Sequence, residues 1–236
     1  MPNQPLILVP GLLCDAALWA PQVDALGAVA DVTVADTRAD DSITGMAERL
    51  LAAAPERFSL CGLSMGGYVS FEVVRIAPER VSRLALLDTS AAADTPERTA
   101  ARRELVALAG RGEDGFNQVV EHHLPSFIHP ARLLNTALCD TIRASAHNVG
   151  AVTYARQQEA IIARRDQRPN LGAISCPTLV LCGRQDNLTP LALHEEIAAG
   201  IPNASLEVVE DCGHLSTLEC PEDVNRALAS WLEREQ

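Results

Sequence analysis

The chain has 236 residues, of which 47 % are hydrophobic and 21 % charged, which suits one domain, or one domain carrying an insertion. This composition excludes a disordered chain, a collagen-like chain and a coiled coil, and no apolar run reaches the roughly 18–20 residues of a membrane span. Acidic residues outnumber basic ones 31 to 19, so the net charge of -12 repels phosphate backbones and excludes nucleic acid as an expected partner.

The first apolar run, Pro5-Leu6-Ile7-Leu8-Val9, stops at Pro10-Gly11 and reads as a buried strand. Helical spacing follows over 19–26, then a strand over 32–35 ended by Asp36, then a helix over 43–53 with Ser42 as its cap. A third strand covers 58–61, and a strongly helical stretch over 68–76 stops before Pro78. A fourth strand over 84–87 ends at Asp88. Strands over 178–182 and 206–209 alternate with helices over 191–199 and 224–232. Continuous apolar strands alternating with helices predict a parallel sheet covered on both faces.

Between Ser90 and Leu171 the rhythm breaks. This stretch holds no convincing strand, is rich in Arg and carries four of the six histidines. It reads as a helical cap, 91–170, inserted into a core made of 1–90 and 171–236, with Ala91-Ala92-Ala93 as a hinge. Its apolar residues include Phe116, Leu124, Phe127, Ile128, Leu133, Val149 and Tyr154, most forming the cap's buried face and a few facing a pocket. The pair His122-His123 has no evident acidic partner and reads as exposed or pocket-lining rather than as metal ligands.

The seven cysteines are odd in number and form no C-x-x-C, and the N-terminus has no basic segment leading an apolar one. A reducing, cytoplasmic setting without a secretory signal is the simplest expectation, with most cysteines acting as small buried hydrophobes. All 19 basic residues are Arg, which excludes a Schiff-base lysine, a Ser–Lys dyad and a P-loop lysine. There is no G-x-G-x-x-G after the first strand and no H-E-x-x-H, so neither a dinucleotide cofactor nor a metal is expected.

Ligands of open parallel sheets bind at the carboxyl ends of the strands. After the third strand stands Gly62-Leu63-Ser64-Met65-Gly66-Gly67, a G-x-S-x-G between a strand and a helix. A turn sharp enough to project Ser64 needs small residues beside it, which Gly62 and Gly66 supply. A serine hydroxyl needs a base. His214 follows the last strand and Asp186 follows the fifth, in the order Ser64, Asp186, His214. Asp186 could instead cap the helix beginning near Pro190. The rival acid is Asp88; Asp211 is too close to His214 in sequence, and Asp36 comes too early.

With these residues in hand, the chain resembles an α/β-hydrolase-fold serine hydrolase along nearly its whole length, most weakly in the cap. Further matches are Pro10-Gly11-Leu12, Gly183-Arg184-Gln185-Asp186 before Leu188-Thr189-Pro190, and Cys212-Gly213-His214-Leu215 with Glu219-Cys220-Pro221. The resemblance implies a compact α/β fold with a mostly parallel sheet of about six strands. It also implies Ser64 as nucleophile, His214 as base, Asp186 as the orienting acid, and the backbone N–H groups of Leu12 and Met65 as the oxyanion hole. The sequence departs from the pattern at Pro10, where many relatives have His, and at Asp36-Thr37-Arg38-Ala39-Asp40-Asp41 beside the site. The two edge strands usual at the N-terminus are not seen either.

A serine at this position, rather than the aspartate of dehalogenases and epoxide hydrolases, points to acyl transfer. The expected function is therefore hydrolysis of a small or medium ester, thioester or lactone, with a small-molecule acyl substrate as the only expected partner. The same three residues also serve carbon–carbon hydrolases and cofactor-free perhydrolases of this fold. A reading of another class is a small-molecule receptor or signalling protein with little turnover, since the 11–19 loop resembles that of a bacterial stress-signalling member.

Overall fold

The computed structural model describes residues 4–233. Six strands, β1 (Gln4–Val9), β2 (Ala30–Val34), β3 (Phe58–Leu63), β4 (Val81–Leu87), β5 (Thr178–Gly183) and β6 (Ala204–Val209), form one sheet in the order β2-β1-β3-β4-β5-β6. Every neighbouring pair is parallel. The core strands β3, β4 and β5 are mostly apolar and buried along their whole length. The edges differ: β2 and β6 are half-buried, so the expectation of a sheet covered on both faces holds in the middle and relaxes at the rims.

The helices of the alternating part are α1 (Ala20–Leu26), α2 (Ile43–Ala53) and α3 (Met65–Ile76). Helices cover both faces of the sheet, with α2 packing on α3. Ser42 caps α2 as expected, its Oγ accepting from Gly45 N–H at 3.1 Å. The predicted helix over 19–26 is a 3-10 turn, Ala16–Trp19, followed by α1. Strand β4 starts at Val81, before the predicted apolar run. Its second residue is polar but satisfied: Ser82 and Ser59 lie 3.3 Å apart, and Gln4 Nε2 donates to both.

Three helices, α4 (Pro96–Ala109), α5 (Glu113–Phe127) and α6 (Thr136–Ile162), stand between β4 and β5 with no strand among them. Thr95 caps α4 and Asn135 caps α6. Helix α6 is broken at Gly150, whose φ of 77° and ψ of 162° lie where glycine alone is comfortable. The chain then returns to the sheet through β5, α7 (Leu191–Gly200), β6, α8 (Ser216–Glu219) and α9 (Pro221–Leu232), which packs on α1. Among the described residues no helix is long and apolar enough to cross a membrane.

The break in α6 yields a direct test. An added Cβ at Gly150 meets nothing within 4 Å, so the cost of Gly150→Ala is backbone strain alone. It should destabilise the protein by about 1–3 kcal/mol in urea unfolding. A variant as stable as the parent would show that α6 straightens without penalty.

Candidate active site

Parallel strands bring the loops after β1, β3, β5 and β6 to one edge of the sheet. Ser64 sits at the end of β3, with φ 56° and ψ -115°, a conformation that costs a non-glycine residue energy. Its surroundings hold it there. Ser64 N–H donates to Leu87 O at 2.9 Å, and its carbonyl accepts from Gly67 N–H at 2.9 Å and Thr89 Oγ1 at 2.8 Å. Glycine is obligatory on either side. A Cβ on Gly62 would stand 2.2 Å from Gly66 O, and one on Gly66 would stand 2.0 Å from Val9 O.

The structure brings Ser64, His214 and Asp186 together. Ser64 Oγ lies 2.9 Å from His214 Nε2, and His214 Nδ1 lies 2.7 Å from Asp186 Oδ2. An ionised Asp186 only accepts, so His214 carries its proton on Nδ1 and presents a lone pair from Nε2 to the serine. Asp186 also accepts from Leu188 N–H at 2.8 Å, Thr189 N–H at 2.9 Å and Thr189 Oγ1 at 2.6 Å. It thus holds the turn before α7 as well as His214, but it does not cap that helix, whose N-cap is Pro190 with no side-chain hydrogen bond. Burial pushes its carboxyl pKa up, but His214 and the three donors outweigh this and leave it below the ordinary value. His214 is likewise pressed down by burial, yet the Asp186 charge and hydrogen bond bring it above the ordinary histidine value of 6.5.

The rival Asp88 does not bond to His214. It lies fully buried at the end of β4, accepts from Gly183 N–H at 2.9 Å and pairs with Ser216 Oγ. Burial, and after it the neighbouring Asp186 charge, push its pKa well above the ordinary value. Asp211 is exposed, and Asp36 pairs with Arg38 at 2.8 Å.

Of the remaining predicted residues, Leu12 and Met65 both flank Ser64, on the β1 loop and at the start of α3. No hydrogen bond among the described residues uses either backbone N–H, whereas Leu13 N–H donates to Gln157 Oε1 at 3.2 Å. Gln157 is the loop support that Pro10 cannot provide. It is reinforced by Asp15, whose carboxylate accepts from Ser145 Oγ at 2.8 Å and Asn148 Nδ2 at 3.0 Å. Ser145 and Asn148 precede the break in α6 and Gln157 follows it, so one helix grips the loop twice. Nothing local in the sequence joins Asp15 to Ser145, 130 residues away.

Glu219 plays a comparable part under His214. Its Oε1 accepts from Gly213 N–H at 3.0 Å and its Oε2 from His129 N–H at 2.7 Å, tying the histidine loop to the end of α5. Phe127 lies over the imidazole, with ring centroids 6.2 Å apart. A cleft of about 390 Å³ opens above Ser64 and His214, walled by Leu105, Phe127 and Ile161 from α4, α5 and α6. Of the apolar residues named for the cap, Phe127 lines the cleft, Leu133 is exposed, and the rest are buried outside that lining, as expected for the cap's buried face.

Comparison with known proteins matches residues 6–227 to the model of the alpha/beta hydrolase family. A pimeloyl-[acyl-carrier protein] methyl ester esterase of Aromatoleum aromaticum is 29 % identical over 192 residues, 77 % of this chain and 76 % of that protein. A thermophilic esterase from Thermogutta terrifontis superposes with a TM-score of 0.88 at 29 % identity, covering 98 % of this chain and 89 % of that one. The enol-lactonase from Burkholderia xenovorans LB400 superposes with a TM-score of 0.88 at 26 % identity, covering 98 % and 92 %. The chain belongs to the alpha/beta hydrolase family.

Proposed function

We propose that this chain is a serine hydrolase cleaving a small or medium ester, thioester or lactone through an acyl-enzyme on Ser64. The observation that carries the reading is the unbroken Ser64–His214–Asp186 hydrogen-bond chain at 2.9 and 2.7 Å, opening into the cleft. Esterase and enol-lactonase, the activities named for the three proteins compared above, both cleave an acyl–oxygen bond and support the same class.

In this mechanism Ser64 Oγ bonds to the substrate carbonyl carbon while His214 Nε2 takes its proton. The carbonyl electrons move to oxygen, which the Leu12 and Met65 N–H groups receive, each worth about 3–4 kcal/mol when well aimed. Collapse expels the leaving group, which His214 protonates. A water, deprotonated by His214, then attacks the acyl carbon, releases the acid and restores Ser64. Asp186 stabilises the imidazolium in both halves. The segment 91–170 serves as the lid of this site, and Phe127 keeps bulk water from His214.

A receptor of the same fold would bind but turn over less than about once per minute, against about 1–10³ s⁻¹ for a typical enzyme. Carbon–carbon hydrolysis and perhydrolysis use the same groups and are separated by product analysis.

Purified protein should hydrolyse 4-nitrophenyl acetate, butyrate or hexanoate, and Ser64→Ala should lower kcat by about 10⁴-fold. Retention of a tenth of the activity would remove Ser64 as nucleophile. Asp186→Asn should cost far more than Asp88→Asn, and the reverse ranking would move the acid to Asp88. Because the His214 pKa is raised, its basic form is lost early on acidification. The kcat/KM profile should therefore fall below a midpoint above 6.5, and a profile flat to about pH 4.5 would contradict His214 as base. Gln157→Leu strips Leu13 N–H of its acceptor and should lower kcat by about 10–100-fold without moving that midpoint. An unchanged kcat would show that the loop holds itself.

A further inference from the structure

In a protein of net charge -12, the cleft above Ser64 is walled by no acidic residue among those described. Its charged lining is Arg98 and Arg102 on α4, joined by His122 and His123 on α5; apart from His214, Cys14 and Tyr68 are its other titratable groups. The positive character is built in. Asp94, whose side chain is 0 % exposed, is shared between two guanidinium groups: Arg164 NH1 at 2.8 Å and Arg102 Nε at 3.2 Å. One carboxylate facing two arginines leaves one positive charge over. Arg164 is 3 % exposed and Arg102 is 20 % exposed, so the surplus emerges at Arg102, on the cleft.

The hydrogen bonds are oriented in the same sense. Arg102 NH1 donates to Gln158 Oε1 at 2.8 Å, which turns Gln158 Nε2 to donate to Tyr154 Oη, also at 2.8 Å. The buried Tyr154 hydroxyl must then donate, and its acceptor is His123 Nε2 at 3.1 Å. His123, depressed to about 4 chiefly by burial, is neutral and keeps its proton on Nδ1. Arg102 spends two of its five N–H groups on Asp94 and Gln158. This wall therefore offers a surplus of donors, and an apolar acyl chain would leave them unmatched.

We propose that this wall is an anion subsite, and that the substrate carries a carboxylate, separate from the scissile bond, which Arg102 holds with Arg98 at the rim. The substrate class is thus the monoester or lactone of a dicarboxylic acid, or an ester whose alcohol bears the carboxylate. A guanidinium in a partly desolvated cleft binds a carboxylate through charge-assisted hydrogen bonds, far better than at an open surface. The proposal rests on the reading of Ser64 as nucleophile, so its test includes binding as well as turnover.

Two esters of equal chain length separate the cases: mono-(4-nitrophenyl) adipate and 4-nitrophenyl hexanoate. The parent protein should favour the adipate ester in kcat/KM, and Arg102→Gln should reduce that preference by about 10–100-fold, mainly through KM. Arg102→Lys should retain part of it. Titration of adipate, against uncharged adipamide, into Ser64→Ala protein by calorimetry reads the subsite without chemistry. Adipate should bind, and the added Arg102→Gln change should abolish binding in a protein of unaltered Tm. Ser64-dependent turnover with no adipate preference, or a preference that survives Arg102→Gln, overturns the subsite while sparing the hydrolase reading. Arg102-dependent adipate binding without turnover of either ester does the opposite. Absence of adipate binding below about 10 mM together with absence of turnover overturns both.

Discussion

Everything at this site hangs on the backbone of Ser64, held at positive φ between β3 and α3. A strained residue persists only where its neighbours leave no other choice. Here the Gly66 backbone presses against the carbonyl of Val9, Gly62 presses against Gly66, and Thr89 binds the Ser64 carbonyl. Strands β1, β3 and β4 thus lock the turn from three sides. The serine side chain is lifted clear of the sheet edge, where His214 and Asp186 can reach it from the ends of β6 and β5.

Three buried carboxyl groups surround His214, and their different surroundings give them different states. Asp186 accepts three hydrogen bonds besides that of His214, and stays ionised. Asp88 is fully buried beside that charge and accepts from Gly183 N–H, and its pKa is pushed up. Glu219 is raised by burial too, while two backbone N–H groups and Arg132, 3.5 Å away, draw it back down. Of the three, Asp186 alone contacts the imidazole, while Asp88 and Glu219 brace the loops of Gly183 and Gly213.

The helices between β4 and β5 do more than cover the cleft. Helix α6 grips the loop after β1 through Ser145, Asn148 and Gln157, on both sides of its break at Gly150. Helix α5 meets the His214 loop through Phe127 O and the His129 amide. Helix α4 contributes the arginines. Any displacement of these helices would be felt at the loop after β1, at His214 and at the cleft's arginines together, because the same elements hold all three.

Much of this was legible in the sequence. Continuous apolar strands alternating with helices identify a parallel sheet, and Gly62-Leu63-Ser64-Met65-Gly66 between a strand and a helix identifies the elbow, because both signals are local. The order Ser64, Asp186, His214 follows from reading what stands at each strand end. The start of β4 was hidden because Ser82 and Arg83 interrupt its apolar run, and Ser82 finds its partners in Ser59 and Gln4, on other strands. The supports were equally invisible. Gln157 under Leu13, Ser145 against Asp15 and Glu219 under Gly213 are ordinary polar residues in the sequence. Asp186 is already expected from its place after β5, but the bonds that divert Asp88 to Gly183 and Ser216, and the surplus charge at Arg102, belong to tertiary structure alone. Both depend on which donors and charges the folded chain gathers within a few ångströms, and no local pattern of residues encodes that distance.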